Sequence, residues 1–162
     1  MRLISDAVGQ MRETINDLIP PDLEILGLQG TIQQRLEGIA REESWSIETH
    51  LEPLKLPKHV AVTLYRIFCE ALTNVQRHAR ASKIIARLET REDDVVLEIS
   101  DNGAGFTPNP EQRPRERGGV GTMGMRKRAE LIGCKFEIES TLGAGTCVRV
   151  RLPAQTARGL VK

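Results

Sequence analysis

Apolar residues recur along this chain first at helical and then at strand spacing. Leu3, Ile4, Ala7, Val8, Met11, Ile15, Leu18 and Ile19 follow a 3.6-residue period, which predicts an N-terminal helix with one apolar stripe. It stops at Pro20-Pro21, because proline lacks an amide hydrogen and its ring clashes with the preceding turn. Such a stripe suits a helix packed on a partner outside this domain or on a second copy, and equally an ordinary core helix. Ile32, Leu36 and Ile39 predict a second helix over 27–43, and the alternation Ile47, Thr49, Leu51 predicts a strand over 46–51. Pro53 and Pro57 punctuate a loop. The strongest helical pattern runs over 58–79. Strands are predicted over 83–89 and 95–100, joined by the polar turn 90–94. A short helix over 124–132 ends at Gly133, a natural left-handed cap. Residues 135–140 and 146–152 read as a closing hairpin: Phe136 and Ile138 alternate with Glu137 and Glu139, and Val148, Val150 and Leu152 alternate with Arg149 and Arg151, so the charged faces can pair across the strands.

Strands interleaved with helices, two strand pairs among them hairpin-linked, predict a mixed sheet covered on one face by helices. Residues 107–118 contain no apolar residue and three prolines, so they predict a mobile loop, and 154–162 predicts a frayed tail. At 162 residues the chain needs neither disulfide nor metal to hold a core. Lys and Arg number 23 against 22 Asp and Glu, a net charge of +1, so no overall field draws it to nucleic acid or a membrane surface. Aromatics at 3% argue against stacking on single-stranded bases. Cys69, Cys134 and Cys147 match no metal spacing and fit a reducing compartment. No apolar run reaches membrane-spanning length, and the first ten residues lack the order of a secretory signal.

Four constellations carry chemistry. On the strongest helix, Glu70, Asn74 and His78 recur every four residues and sit at the rim of the arc holding Ile67, Phe68, Ala71 and Val75. A polar rim over an apolar floor lines ligand clefts. Asn offers a neutral oxygen suited to Mg²⁺, and Glu could orient a water or accept a proton. An amphipathic helix with ordinary boundary residues explains the same stripe. Asp101-Asn102-Gly103-Ala104-Gly105-Phe106 follows a strand whose inward set reads Val95, Val96, Leu97 and Ile99. The carboxylate could accept a hydrogen bond from an amino group, and the glycines let the backbone approach a flat ligand. A hairpin turn explains it poorly, since no strand follows. Gly118-Gly119-Val120-Gly121-Thr122-Met123-Gly124 leads into a helix and could cradle phosphate with exposed amides; Arg126, Lys127 and Arg128 would then fall in the first turn, where cations make sense if an anion docks. A flexible linker is the plainer reading. Gly143-Ala144-Gly145-Thr146 is as readily a turn as a ligand contact.

The order of these elements resembles the GHKL ATPase superfamily and, within it, the catalytic ATP-binding domain of sensor histidine kinases. The stretches RIFCEALTNVQRHARAS (66–82) and GVGTMGMRKRAELIG (119–133) resemble the subfamily that partners LuxR-type response regulators. The resemblance covers about 20–153. It implies an α/β (α+β) two-layer sandwich, its mixed, mostly antiparallel sheet covered on one face by helices, the Bergerat ATP-binding fold. Residues 1–19 would be the end of a dimerisation helix, 20–153 the catalytic domain with an ATP lid at 107–118, and 154–162 a flexible tail. The implied cofactors are ATP and Mg²⁺. Asn74 would hold Mg²⁺, and Glu70 would support the metal or activate the acceptor. Arg77 and His78 would lie near phosphates. Asp101 would bond the adenine amino group in a slot shaped by Gly103 and Gly105. Gly119, Gly121, Thr122, Gly124 and Met125 would contact the nucleotide, and Thr146 would steady its adenine end.

Many relatives carry Leu at position 122 and Glu at 127, where this chain has Thr and Lys. The phospho-accepting histidine has no counterpart: His50 follows a strand pattern and His59 starts a helix, neither with an acidic neighbour, and His78 belongs to the nucleotide stripe. The resemblance therefore implies a kinase domain acting on a histidine supplied elsewhere. Its partners would be the dimerisation domain of the same kinase, a homodimer in the full-length protein, and a LuxR-type regulator, with no nucleic acid. The location would be cytoplasmic, with anchoring of a parent protein left open. A GHKL anti-sigma serine kinase, or a domain that binds nucleotide only to hold a conformation, is the alternative.

Overall fold

The computed structural model describes residues 22–107 and 119–154. The N-terminal stripe, the body of the polar loop and the tail lie outside the described residues. Helix α1 spans Asp22–Glu43, broken at Gly27, whose φ of 69° and ψ of 179° no helix accommodates. Strand β1 (Ser46–Leu51) leads to α2 (Lys58–Asn74), which runs on as a five-residue π-helical turn, Val75–Ala79. Strands β2 (Lys83–Arg91) and β3 (Asp94–Asp101), helix α3 (Gly119–Leu131), and strands β4 (Lys135–Thr141) and β5 (Gly145–Leu152) complete the described chain.

The five strands form one sheet in the order β1-β2-β3-β5-β4, with β1 and β2 parallel and every other pair antiparallel. Helix α2 makes the crossover that parallel pairing demands. This is the mixed, mostly antiparallel sheet that the sequence predicts. Register sets the faces, because side chains alternate. Ile84, Ala86 and Leu88 of β2 align with Asp101, Ile99 and Leu97 of β3, and these with Val148 and Val150 of β5. That face meets Ile32, Leu36 and Ile39 of α1, Leu64, Ile67, Phe68 and Leu72 of α2, and Met125 and Ala129 of α3 in one core. At roughly 1.5–3 kcal/mol for each large apolar side chain buried, this layer supplies the folding force.

The opposite face carries a row of charge. His50, Arg87, Glu98, Arg149 and Glu137 align across all five strands. Glu98 is buried and receives Arg87 Nη1 at 3.0 Å and Arg149 Nε at 2.8 Å, with Arg91 at 3.6 Å; Arg149 also reaches Glu137 and Glu139 at 3.4 Å each. The predicted cross-strand pairing of the last hairpin is present. One assignment changes: Val96 sits on this charged face with Glu98, not inward with Val95, Leu97 and Ile99, because alternation puts successive residues on opposite sides.

One turn and one helix start differ from the sequence reading for local reasons. The β2–β3 turn is only Glu92-Asp93, both in the left-handed region (φ 52° and 70°), so the strands extend further than their apolar residues do. Helix α3 begins at Gly119, five residues before the predicted start, since its glycines are inside the helix.

Candidate functional site

The end of α2, the end of β3, the β4–β5 hairpin and the start of α3 converge on one spot. Asp101 closes β3 on the helix-covered face, two residues past Ile99. It is half-buried. The Gly103 amide donates to its Oδ1 at 2.7 Å, and the Thr146 amide donates to the same carboxylate. Burial pushes the carboxyl above its ordinary value near 3.8, outweighing the two amides that pull it down. Two donors leave the ionised group free acceptor capacity, so it can take another hydrogen bond.

Three glycines line the ground around Asp101. A Cβ at Gly103 would come within 2.7 Å of Ala79 Cβ; one at Gly105 (φ 57°) would come within 2.8 Å of Gly145 O; one at Gly145 (φ 88°) would come within 2.8 Å of the Asp101 carbonyl carbon. Real side chains do not tolerate such approaches, so only glycine brings these backbones together. Gly103 and Gly105 directly follow the end of β3. Gly145 belongs to the Gly-x-Gly-Thr run, which reads equally as a turn or a ligand contact, and here it closes on the end of β3. The segment between is fastened throughout: Ala104 N–H donates to Ala79 O at 2.6 Å, Gly143 N–H to Ala104 O at 2.7 Å, and Phe106 N–H to Ser140 Oγ at 2.8 Å. Asn102 Oδ1 accepts from the amides of Ser82 and Lys83 at 3.0 and 2.8 Å, pinning the end of β3 to the start of β2. Ser140 and Asn102 escaped the sequence reading, because no spacing marks a hydroxyl or amide whose partners are backbone atoms far along the chain.

At the other end of the site, Glu70 and Asn74 lie half-buried one turn apart on α2. A Cβ at Gly121 would strike Glu70 Oε1 and stand 3.8 Å from Asn74 Nδ2, so the first turns of α3 rest on this pair. The glycine run thus reaches Glu70 and Asn74 through Gly121, and as helix, not as a preceding loop. Gly119, Gly121, Thr122 and Gly124 are all helical. Arg126, Lys127 and Arg128 consequently fall in the later half of α3, where cations suit the helix dipole. Arg126 is turned to β4, with Nη1 3.2 Å from Phe136 O and its guanidinium 5.1 Å from the Phe136 ring centre. Met125 is fully buried in the core beside Ala129, so its side chain faces packing and not the cleft. Arg77 and His78 are exposed on the π-helical turn, whose wider winding takes His78 off the stripe of Glu70 and Asn74.

The donor set can be tested against a divalent ion. Among the described residues no group of three or more His, Cys, Asp or Glu could hold a metal. Glu70 and Asn74 supply hard oxygens, too few for an all-protein cage but suited to Mg²⁺, which shares its coordination with waters and substrate phosphates. Burial raises the thiols of Cys134 and Cys147 to about 11 and raises Cys69 as well, so no described cysteine is a ready nucleophile. A cavity of about 420 Å³, lined by Leu23, Leu28, Leu54, Leu56 and Ala61, opens at the opposite end of α2 and brings none of these groups together. His50, expected to lack an acidic neighbour, has Glu89 Oε2 3.6 Å from its Nε2, because parallel pairing sets β1 beside β2. Among the described residues no helix is long and apolar enough to cross a membrane.

Residues 59–156 match the family described as histidine kinase-, DNA gyrase B-, and HSP90-like ATPase. The chain is 32% identical over 152 residues to the sensor protein VraS of Staphylococcus saprophyticus, covering 94% of this chain and 43% of that protein. It is 31% identical over 151 residues to the sensor histidine kinase LiaS of Bacillus subtilis, covering 93% and 41%. It therefore spans about two fifths of the relatives it matches. The histidine kinase domain of a blue-light activated kinase from Erythrobacter litoralis EL346 superimposes with a TM-score of 0.68 at 21% identity, over 83% of this chain and 64% of that one, a likeness of fold.

Proposed function

Since the chain belongs to the histidine kinase-, DNA gyrase B-, and HSP90-like ATPase family, we propose that it binds ATP with Mg²⁺ and serves as the catalytic domain of a two-component histidine kinase. The observation that carries this reading is Asp101: a half-buried carboxylate with spare acceptor capacity, set among backbones that only glycines allow to meet. Asp101 accepts a hydrogen bond from an exocyclic amine, and Gly103, Gly105 and Thr146 shape the slot for the base. Asn74 and Glu70 offer oxygens at the phosphate end. Mg²⁺, when bound with the nucleotide, would neutralise charge on the phosphates as the γ-phosphoryl group is transferred. Glu70 holds a water or takes the proton of the attacking group. Gly119, Gly121 and Gly124 let the start of α3 withdraw from Glu70 and Asn74, since each glycine weakens a helix by about 1 kcal/mol relative to alanine.

The phosphoryl acceptor is a histidine outside the three in this chain, borne on a dimerisation domain, and the downstream partner is a LuxR-type response regulator. The names of VraS and LiaS, a sensor protein and a sensor histidine kinase, support the kinase part of this reading. Calorimetry of the chain with ATP tests the site: one molecule should bind, Asn74→Ala should abolish the gain that Mg²⁺ gives, and Asp101→Ala should weaken binding about tenfold or more. Unchanged ATP affinity in both variants would overturn the assignment.

A further inference from the structure

We propose that Ser140 is a positioning residue for the nucleobase: it fixes which way the Thr146 hydroxyl points its proton, and so which base the slot accepts. The inference rests on the ATP reading above. Ser140 Oγ has three neighbours. Phe106 N–H lies at 2.8 Å, Gly145 O at 3.1 Å and Thr146 Oγ1 at 2.9 Å. A serine hydroxyl has one proton and two lone pairs. The Phe106 amide can only donate, so it occupies one lone pair. The Gly145 carbonyl can only accept, so it competes with Thr146 for the single proton.

Two arrangements follow. With the Ser140 proton on Gly145 O, the second lone pair accepts from Thr146 O–H, and Ser140 makes three hydrogen bonds. With the proton on Thr146 instead, Ser140 makes two and gives Gly145 O nothing. The first uses the full capacity of the serine and is the one favoured. It leaves Thr146 Oγ1 with only lone pairs to show a ligand. The Asp101 carboxylate, joined to Thr146 through the Thr146 amide, likewise only accepts. Two acceptors side by side favour a purine carrying an amino group at C6 and disfavour one carrying a keto oxygen there. A site built to bond one such group discriminates by leaving buried polar atoms unpaired in the wrong complex. Without Ser140 the Thr146 proton is free to turn to the ligand, and a 6-oxo purine is no longer refused by this hydroxyl.

The test compares Mg-ATP with Mg-ITP, which carry the same phosphates and differ at C6, by calorimetry on the chain. Ser140→Ala should lower the preference for ATP over ITP about fivefold, and Ser140→Thr, which keeps the hydroxyl, should restore it. Thr146→Val should give the same loss, and the double variant no more than either single one, because the two act as a unit. Ser140→Cys, close in shape but a poor donor and acceptor, carries the measurement if the alanine variant does not fold. A merely structural serine would weaken both nucleotides by one factor. Equal weakening, or an unchanged ratio, overturns the role of Ser140 and leaves the ATP reading standing. No adenine-nucleotide binding by the unaltered chain overturns both.

Discussion

Asp101 and Glu98 lie three residues apart on β3, on opposite faces of the sheet, and are held in opposite senses. Burial raises the Asp101 carboxyl, so the folded chain keeps that proton at pH values where the unfolded chain has lost it. Stability attributable to the group therefore falls as pH rises from about 3.8 through the raised value, and ionised Asp101 is a burden on the fold at neutral pH. Asp101→Asn should leave stability within about 1 kcal/mol of the parent, or raise it, while weakening ATP; a denaturant titration beside calorimetry reads both, and a large loss of stability would make Asp101 a structural residue. Glu98 is the reverse case. Burial pushes it up, yet hydrogen bonds from Arg149 and Arg87 and the charge of Arg91 hold it below 4.5. Its stabilisation is present above about 4.5 and is lost as pH falls through the lowered value. Glu98→Ala strands Arg87 and Arg149 and should cost about 2–3 kcal/mol, less than a wholly buried pair because the arginines are 31% and 24% exposed. Unfolding in urea at pH 7 and pH 4 checks the size and the sign: the penalty should shrink at pH 4.

Among residues, those legible in the sequence were the ones whose chemistry coincides with a local pattern. Asp101, Gly103 and Gly105 stand next to one another, and Glu70 and Asn74 share a helical spacing. Ser140 and Asn102 act on partners brought in by the fold, and Glu98 reads as one of many surface acids until register aligns it with Arg87 and Arg149.

At the scale of elements, strands were legible because alternation is a direct record of the two faces of a sheet, and β1 was placed to the residue. The helices were legible in their interiors and not at their ends. The turn of α1 before Gly27 was missed because a residue with φ 69° interrupts the pattern. The π-helical turn was invisible because residues at four-residue spacing look alike in either winding. The start of α3 was misread because glycine lowers helix propensity without forbidding a helix that tertiary contact supports. Gly124 offers a test of whether that marginal start matters. A Cβ there meets only Arg128 Nη1 at 3.4 Å, an ordinary contact, so Gly124→Ala changes stiffness and little else. It should stabilise the nucleotide-free chain by up to about 1 kcal/mol, a rise of a few degrees in Tm, and weaken Mg-ATP by up to about fivefold if the helix start must withdraw to admit phosphate. Calorimetry and a thermal melt read the two together; unchanged or tighter binding in a stabilised variant would show that α3 keeps its first turns when nucleotide binds.

At the scale of the molecule, what the fold separates matters as much as what it joins. Phosphoryl transfer requires an acceptor nitrogen in line with the γ-phosphate, with reacting atoms about 3–3.5 Å apart. His59 stands at the start of α2, fifteen residues before Asn74, which at 1.5 Å per residue is about 22 Å along the helix axis. His50 has an acidic neighbour in Glu89, but β1 is an edge strand and alternation turns His50 to the face opposite Asp101. His78 is four residues past Asn74, yet it is exposed on the π-helical turn, off the line of Glu70 and Asn74. The chain by itself should therefore incorporate no acid-labile phosphate from labelled ATP with Mg²⁺, and His78→Ala should change nothing in that result. Joining a helix that carries a phospho-accepting histidine N-terminal to Leu3 should produce labelling, because a covalent link raises the effective concentration of an encounter too weak to register between separate molecules. Labelling of the joined protein should vanish with Asn74→Ala. Robust labelling of the chain alone at His50, His59 or His78 would mean that the acceptor is internal and that the separation described here does not govern the chemistry.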